Sequence, residues 1–294
     1  MDFLLKRIPA FSRALGEWES DEESDTDTGL EGNFSCVGPI GELISLSHVF
    51  EQITVKNVLI GVGPLQMAFV TCGFQLTKEN LIAVVSYSVP GFGGTKKTVE
   101  NQVHLHHNPS VGGGTLFILI HASKRIPHVN LRTVVQFIMG NLFSSSDNSS
   151  RNLQVTILCT QPMYQFQSHS PPHGPSFIRI LATEQLEKPN DAQWDWLEQP
   201  NIVSGQAAEF LTWCKIHSVS AVLYVLFYTT LDNPGYAWHS AKEMFQALCQ
   251  MRTISPILAS VAANWDFLDD SMMKDSCIMY ICGDKPSKMD QMYT

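Results

Sequence analysis

TLFILIHASKRIPHVNLRTVVQFIMGNLFSSSDNSSRNLQVTILCT, residues 115–160, carries the pattern on which the fold turns. It opens with an apolar run, Thr115 to Ala122, and closes with another, Leu153 to Thr160; both have the length of a strand. Between them, Val129 to Leu142 places apolar residues at helical spacing. Strand, helix, strand in this order belongs to a sheet whose strands run parallel under covering helices.

The pattern extends outward in both directions. Upstream, Val55 to Gly61 and Leu81 to Ser86 are short apolar runs with helical stretches between them. Downstream come Ser176 to Ala182, an amphipathic helix over Gly205 to His217, and the deepest strand, Ser220 to Thr229. Trp238 to Met251 reads as a further helix, with Ala241, Met244, Phe245 and Leu248 on one face. The expected fold is a three-layer α/β/α sandwich with a mostly parallel central sheet, occupying residues 46–263 as one core domain without internal repeats. Residues 1–45 are expected to form an acidic and largely disordered N-terminal arm. Residues 264–294 are expected to form a C-terminal extension with a short apolar element at Cys277 to Cys282 and a flexible, exposed tail.

Charge narrows the function classes. The chain carries a net charge of −9 with 44% hydrophobic and 16% charged residues. Glu17, Glu19, Asp21, Glu22, Glu23, Asp25, Asp27 and Glu31 fall in one stretch without a basic residue. An acidic chain without clustered Lys and Arg is not expected to bind nucleic acid, because it cannot displace phosphate counterions. Ser20 and Ser24 precede acids and suit an acid-directed kinase, although a solvating linker accounts for the stretch more simply. The seven cysteines are scattered singly, which predicts reduced thiols. The N-terminal apolar run is only Phe3 to Leu5 before Pro9, so no secretory leader is expected. The expected location is the cytoplasm, with the nucleus and the periphery of the endoplasmic reticulum as further places. Ala221 to Tyr228 is far shorter than the roughly 18 apolar residues of a membrane span, so none is expected.

Candidate chemistry is sparse. IGVGP, Ile60 to Pro64, stands where a dinucleotide-binding turn would, but Gln66 replaces the third glycine and Pro64 removes an amide. A tight strand-to-helix turn is the preferred reading. Gly91, Gly93, Gly94 and Gly112 to Gly114 bracket a polar segment and read as flexible loop flanks, since no Walker spacing is present. His104, His106 and His107 can put two imidazoles on one face of an extended strand, yet no further ligand stands at metal spacing. Cys159 and Cys214 sit in apolar surroundings and read as small buried hydrophobes, and Asp269 and Asp270 as surface acids. No catalytic residue, cofactor site or metal site is therefore expected.

Against this background, several segments resemble the proteasome assembly chaperone 1 family: LQVTILC (153–159), PSFIRILA (175–182), LEQPNIV (197–203), Ala207 to Cys214, AVLY (221–224) and the final Met292-Tyr293-Thr294. Residues 1–50 and 87–112 depart from the vertebrate pattern. The resemblance implies a non-catalytic α/β/α fold related to phosphorylase-like folds. It also implies a heterodimer with a homologous chaperone, proteasome assembly chaperone 2, that binds the 20S proteasome α-ring, promotes its assembly and blocks off-pathway association. Met292, Tyr293 and Thr294 are implied to form a proteasome-binding tail, whose carboxylate meets a lysine between neighbouring α-subunits. A phosphorylase-like or nucleotide-binding enzyme is the alternative, supported by the fold and by IGVGP alone.

Overall fold

The computed structural model describes residues 34–89, 99–120, 128–145, 153–168, 176–184 and 195–228, together with residues 245, 246, 248, 257 and 258. The chain divides into residues 1–31 and 32–294, and all described residues lie in the second unit. In chain order the elements are β1 (Phe34–Val37), α1 (Leu46–Glu51), β2 (Asn57–Val62), α2 (Pro64–Gly73), β3 (Leu81–Val89), β4 (Val99–Asn108) and β5 (Thr115–Ile120). They continue with α3 (His128–Ser145), β6 (Gln154–Pro162), β7 (Ser176–Ala182), α4 (Gln206–Ile216) and β8 (Ser220–Tyr228).

The strands form one eight-stranded sheet in the order β1-β3-β4-β5-β2-β6-β8-β7. β5, β2, β6 and β8 pair in parallel through their centre, with Ile118, Ile60, Ile157 and Leu223 in one row across the sheet. β2, β5 and β8 are apolar at nearly every position, and β6 is buried from Val155 to Cys159, because both faces are covered. On one face α1, α3 and α4 bring Phe50, Val134, Ile138, Met139, Phe210 and Trp213 onto Val58, Ile118, Ile157 and Leu223. On the other, α2 brings Leu65, Ala68 and Phe69 onto Leu59, Phe117 and Leu158, where Phe245, Leu248, Ile257 and Leu258 are also buried. The three-layer α/β/α sandwich is thus as expected.

The sheet is mixed, which corrects the expectation of a mostly parallel one. β1-β3, β3-β4, β4-β5 and β7-β8 are antiparallel. The reason lies in the connections: β4 and β5 are joined by a short turn, and a turn of that length closes only an antiparallel pair. The glycines of 112–114 belong to this turn, and residues 99–108 of the segment before them form β4 between β3 and β5. On β4, Val103 and Leu105 face the core while His104 and His106 take the other face, an alternation that suits a strand covered on one side. The sheet also begins at Phe34, before residue 46. Trp238 to Met251, apart from residues 245, 246 and 248, and all of residues 264–294 lie outside the described residues.

Gly114 sets the register between β2 and β5. Its carbonyl accepts from the amides of Lys56 (2.9 Å) and Asn57 (3.2 Å), and its own amide donates to Val111 O (3.0 Å). With φ of +116°, and with a Cβ that would collide with the Thr54 carbonyl oxygen, the position admits only glycine. Gly114→Ala is therefore expected to cost about 3 kcal/mol, read as a lowered urea midpoint with an unchanged slope.

Candidate functional site

The turn after β2 is occupied from within. Gly63 has φ of +103° and donates its amide to Ile120 O at 2.9 Å, while Pro64 opens α2. Gln66, wholly buried, donates from its amide nitrogen to Val62 O (2.8 Å) and accepts from Thr160 N (3.2 Å). A Cβ at Gly63 would meet the end of this side chain at 3.0 Å. The residue standing in place of the third glycine thus fills the gap between α2 and the β2–β6 pair, which that glycine would leave for close helix–strand packing. IGVGP is a tight strand-to-helix turn.

The histidines follow the strand geometry. The rings of His104 and His106 share one face of β4 with centroids 6.5 Å apart, and His107 Nε2 lies 3.1 Å from Thr54 O on the other. Burial, helped by the neighbouring His104, pushes His106 down to about 4, against a hydrogen bond with the Thr77 backbone that pulls the other way. Its Nδ1 is buried without a hydrogen-bond partner. Among the described residues, no group of three or more His, Cys, Asp or Glu is placed to hold a metal. Burial raises the Cys159 and Cys214 thiols to about 12, which removes the thiolate a nucleophile needs.

The most developed feature is the segment 195–203, which contains LEQPNIV. Arg179, in the middle of β7, is buried between two rings, its guanidinium carbon 5.2 Å from the Phe166 centroid and 4.8 Å from that of Phe177. It donates from Nε to Glu198 Oε2 at 3.0 Å, and its NH1 lies 3.4 Å from Asp195 Oδ2. The backbone follows the side chains. Ile180 N donates to Asp195 O (3.2 Å) and Leu197 N to Ile180 O (3.0 Å), so 195–197 pairs along the outer edge of β7. After the cis Gln199–Pro200 bond, Asn201 donates to Gln167 O (2.8 Å) and accepts from Gln167 N (2.7 Å). That joins this loop to the turn over Met163–Gln165 at the end of β6. Leu197 packs on the core and Val203 is buried within it. Trp196, Ile202 and Tyr164 are instead exposed.

Met292, Tyr293 and Thr294 lie outside the described residues, as do Ser20, Ser24, Asp269 and Asp270. The residues missed at the level of sequence are Arg179, Tyr164, Trp196 and Ile202. One signal was available for the first: a lone charge inside the strand-forming FIRIL cannot be buried without acids, and two lie in the following loop.

The described residues thus form a mixed α/β sandwich whose most developed feature is an ion-paired loop sealed against its edge strand. Comparison with known proteins sharpens this. The model of the PAC1 family, described as proteasome assembly chaperone 4, matches residues 42–278, and the chain belongs to this family of proteasome assembly chaperones. Curated relatives include proteasome assembly chaperone 1 of Danio rerio, 37% identical over 111 residues that are 37% of this chain and 36% of the relative. The human proteasome assembly chaperone 1 is 28% identical over 124 residues, 42% of this chain and 41% of the relative. The matches thus span about two-fifths of the relatives' length. Similar solved structures include PbaB of Pyrococcus furiosus, an archaeal proteasome activator, at TM-score 0.46 and 9% identity over 83% of this chain and 94% of that one. A proteasome-assembly chaperone homologue of Mycobacterium tuberculosis gives 0.42 and 13% over 71% and 92%. Likenesses of that size carry no inference about partners.

Two measurements probe this geometry. Arg179→Ala leaves Glu198 without its partner and two rings without their cation, and is expected to cost about 3 kcal/mol in urea unfolding. His106 offers a pH test. The unfolded imidazole takes up its proton near 6.5 and the folded one only near 4, so stability falls as pH drops through that window and changes no further below it. The loss in urea midpoint between neutral pH and about pH 5 should be smaller in His106→Gln than in wild type.

Proposed function

We propose that this chain is a non-enzymatic assembly chaperone that pairs with a homologous second chaperone, proteasome assembly chaperone 2, and escorts the 20S proteasome α-ring. The observation that carries the reading is the family match over residues 42–278, which takes in nearly all the described elements. The filled turn at Gln66 and the high thiol values of Cys159 and Cys214 support a non-catalytic role, since a phosphate cradle and a poised nucleophile are what an enzyme on this fold would use. In this reading the heterodimer rests on the α-ring, favours ring closure and blocks off-pathway association. It works in the cytoplasm, with the nucleus and the periphery of the endoplasmic reticulum as further places.

Met292, Tyr293 and Thr294 serve as the ring-binding tail. Met292 and the Tyr293 ring contribute roughly 2 kcal/mol each when fully buried, and the free carboxylate adds a charge contact with a lysine. Ordering the tail offsets much of this, so three residues alone bind weakly. Tethered to a heterodimer already on the ring, they act at high effective concentration and slow dissociation.

Pull-down of α-ring intermediates tests the proposal. Tyr293→Ala, removal of residues 292–294, and addition of one residue after Thr294 should each weaken α-ring capture by about tenfold or more while leaving the melting temperature and the heterodimer unchanged. Capture equal to wild type in stringent salt for all three variants would refute the tail mechanism.

A further inference from the structure

The connection from α2 to β3, residues 74–80, is tied to the sheet by a side chain from another strand. Gln75 takes φ of +51°, a conformation that a side chain keeps only when its surroundings impose it. Phe74 and Leu76 on either side are buried, and the Phe74 ring lies 4.8 Å from that of Phe117 on β5. Thr77 then opens the short turn Lys78–Asn80: its amide donates to Asn80 Oδ1 (2.9 Å) and its carbonyl accepts from Asn80 N (3.2 Å). The Thr77 backbone is also the hydrogen-bond partner of His106 on β4. Because the Thr77 amide is engaged by Asn80 and His106 Nδ1 has no partner, the bond runs from His106 Nε2 to the Thr77 carbonyl. One carbonyl thus closes the turn and anchors it to the sheet. Beside it the pairing of β3 with β4 shifts register between Leu81 and Ala83, so the ladder is interrupted opposite His106 and Leu105.

This arrangement fixes the tautomer. Nε2 carries the proton, and Nδ1 presents a bare lone pair inside the protein. A second proton must go to Nδ1, where it meets no acceptor. Among the described residues, His104 is the charge that bears on the ring, and its own proton would repel another. The cross-strand neighbours are Leu81 on β3 and Phe117 on β5, and α2 carries Cys72 but no Asp, Glu, Lys, Arg or His. Lys78 and Glu79 of the turn are exposed, and His107 lies against Thr54 O on the other face of β4. Nδ1 can therefore be protonated only when the ring leaves its seat, and the Thr77 bond is lost with it. We infer that His106 is an acid-released latch: neutral, it pins residues 74–80 to β4, and protonated, it lets that connection open while the central parallel strands stay closed. The open segment takes up its proton near 6.5 and the closed one only near 4, so opening becomes easier as pH falls through that window.

Amide hydrogen exchange on the full chain tests the latch. Between neutral pH and about pH 4.5, after correction for intrinsic exchange, protection of the amides of 74–77 should fall at least about tenfold while those of β2, β6 and β8 hold. In His106→Gln the side-chain amide can still donate to the Thr77 carbonyl but takes up no proton, so protection there should not change with pH. In His104→Gln the fall should persist. Heteronuclear NMR of the wild-type imidazole reads the tautomer directly, whether or not the variants fold, and should find the proton on Nε2 at neutral pH. A proton on Nδ1 would overturn the latch. So would protection that stays constant in wild type, that falls equally in His106→Gln, that no longer falls in His104→Gln, or that is lost from the central strands at the same pH.

Discussion

The parallel block β5-β2-β6-β8 is the constraint on which everything else rests. Four adjacent strands with apolar residues on both faces cannot face water, so the chain must supply helices to each face. That requirement fixes α3 and α4 on one side and α2 on the other. It also forces tight passages from strand to helix, and at the tightest of them Gln66 turns inward and satisfies both partners of its amide. The same packing demand that makes the fold thus fills this turn from within.

Legibility in the sequence followed the strength of local pattern. β7 and β8 were readable because runs such as SFIRILA and SAVLYVLFY are too short and too continuous for anything but buried strands. α3 was readable from its spacing. β4 was legible only in part: its histidines read as extended, but with His104 and His106 outward and glycines on both sides no apolar run marked where the strand begins and ends. β1, only four residues long, offers too short a window for any period. Strand direction was not legible from runs alone. It depends on how short the connections are, and the turn at 112–114 was read as loop when it is what reverses the chain.

The contacts of the loop 195–203 were hidden for a different reason. LEQPNIV stood out as a family feature, but its individual roles are set by contacts far away in sequence: Glu198 by Arg179, Asn201 by Gln167, Leu197 by Ile180. Family membership rests on residue identity, which sequence displays directly. These contacts rest on the fold, which it does not.

The pairing of 195–197 along β7 has a further consequence. An open edge strand as apolar as SFIRILA invites a neighbouring chain to add its own backbone, the first step towards insoluble fibres. Here that edge is sealed in part by the chain's own loop, which Arg179 clamps through both of its acids. Solubility therefore hangs on the clamp: any inherited change that loosens Arg179 from its acids also unveils a sticky edge.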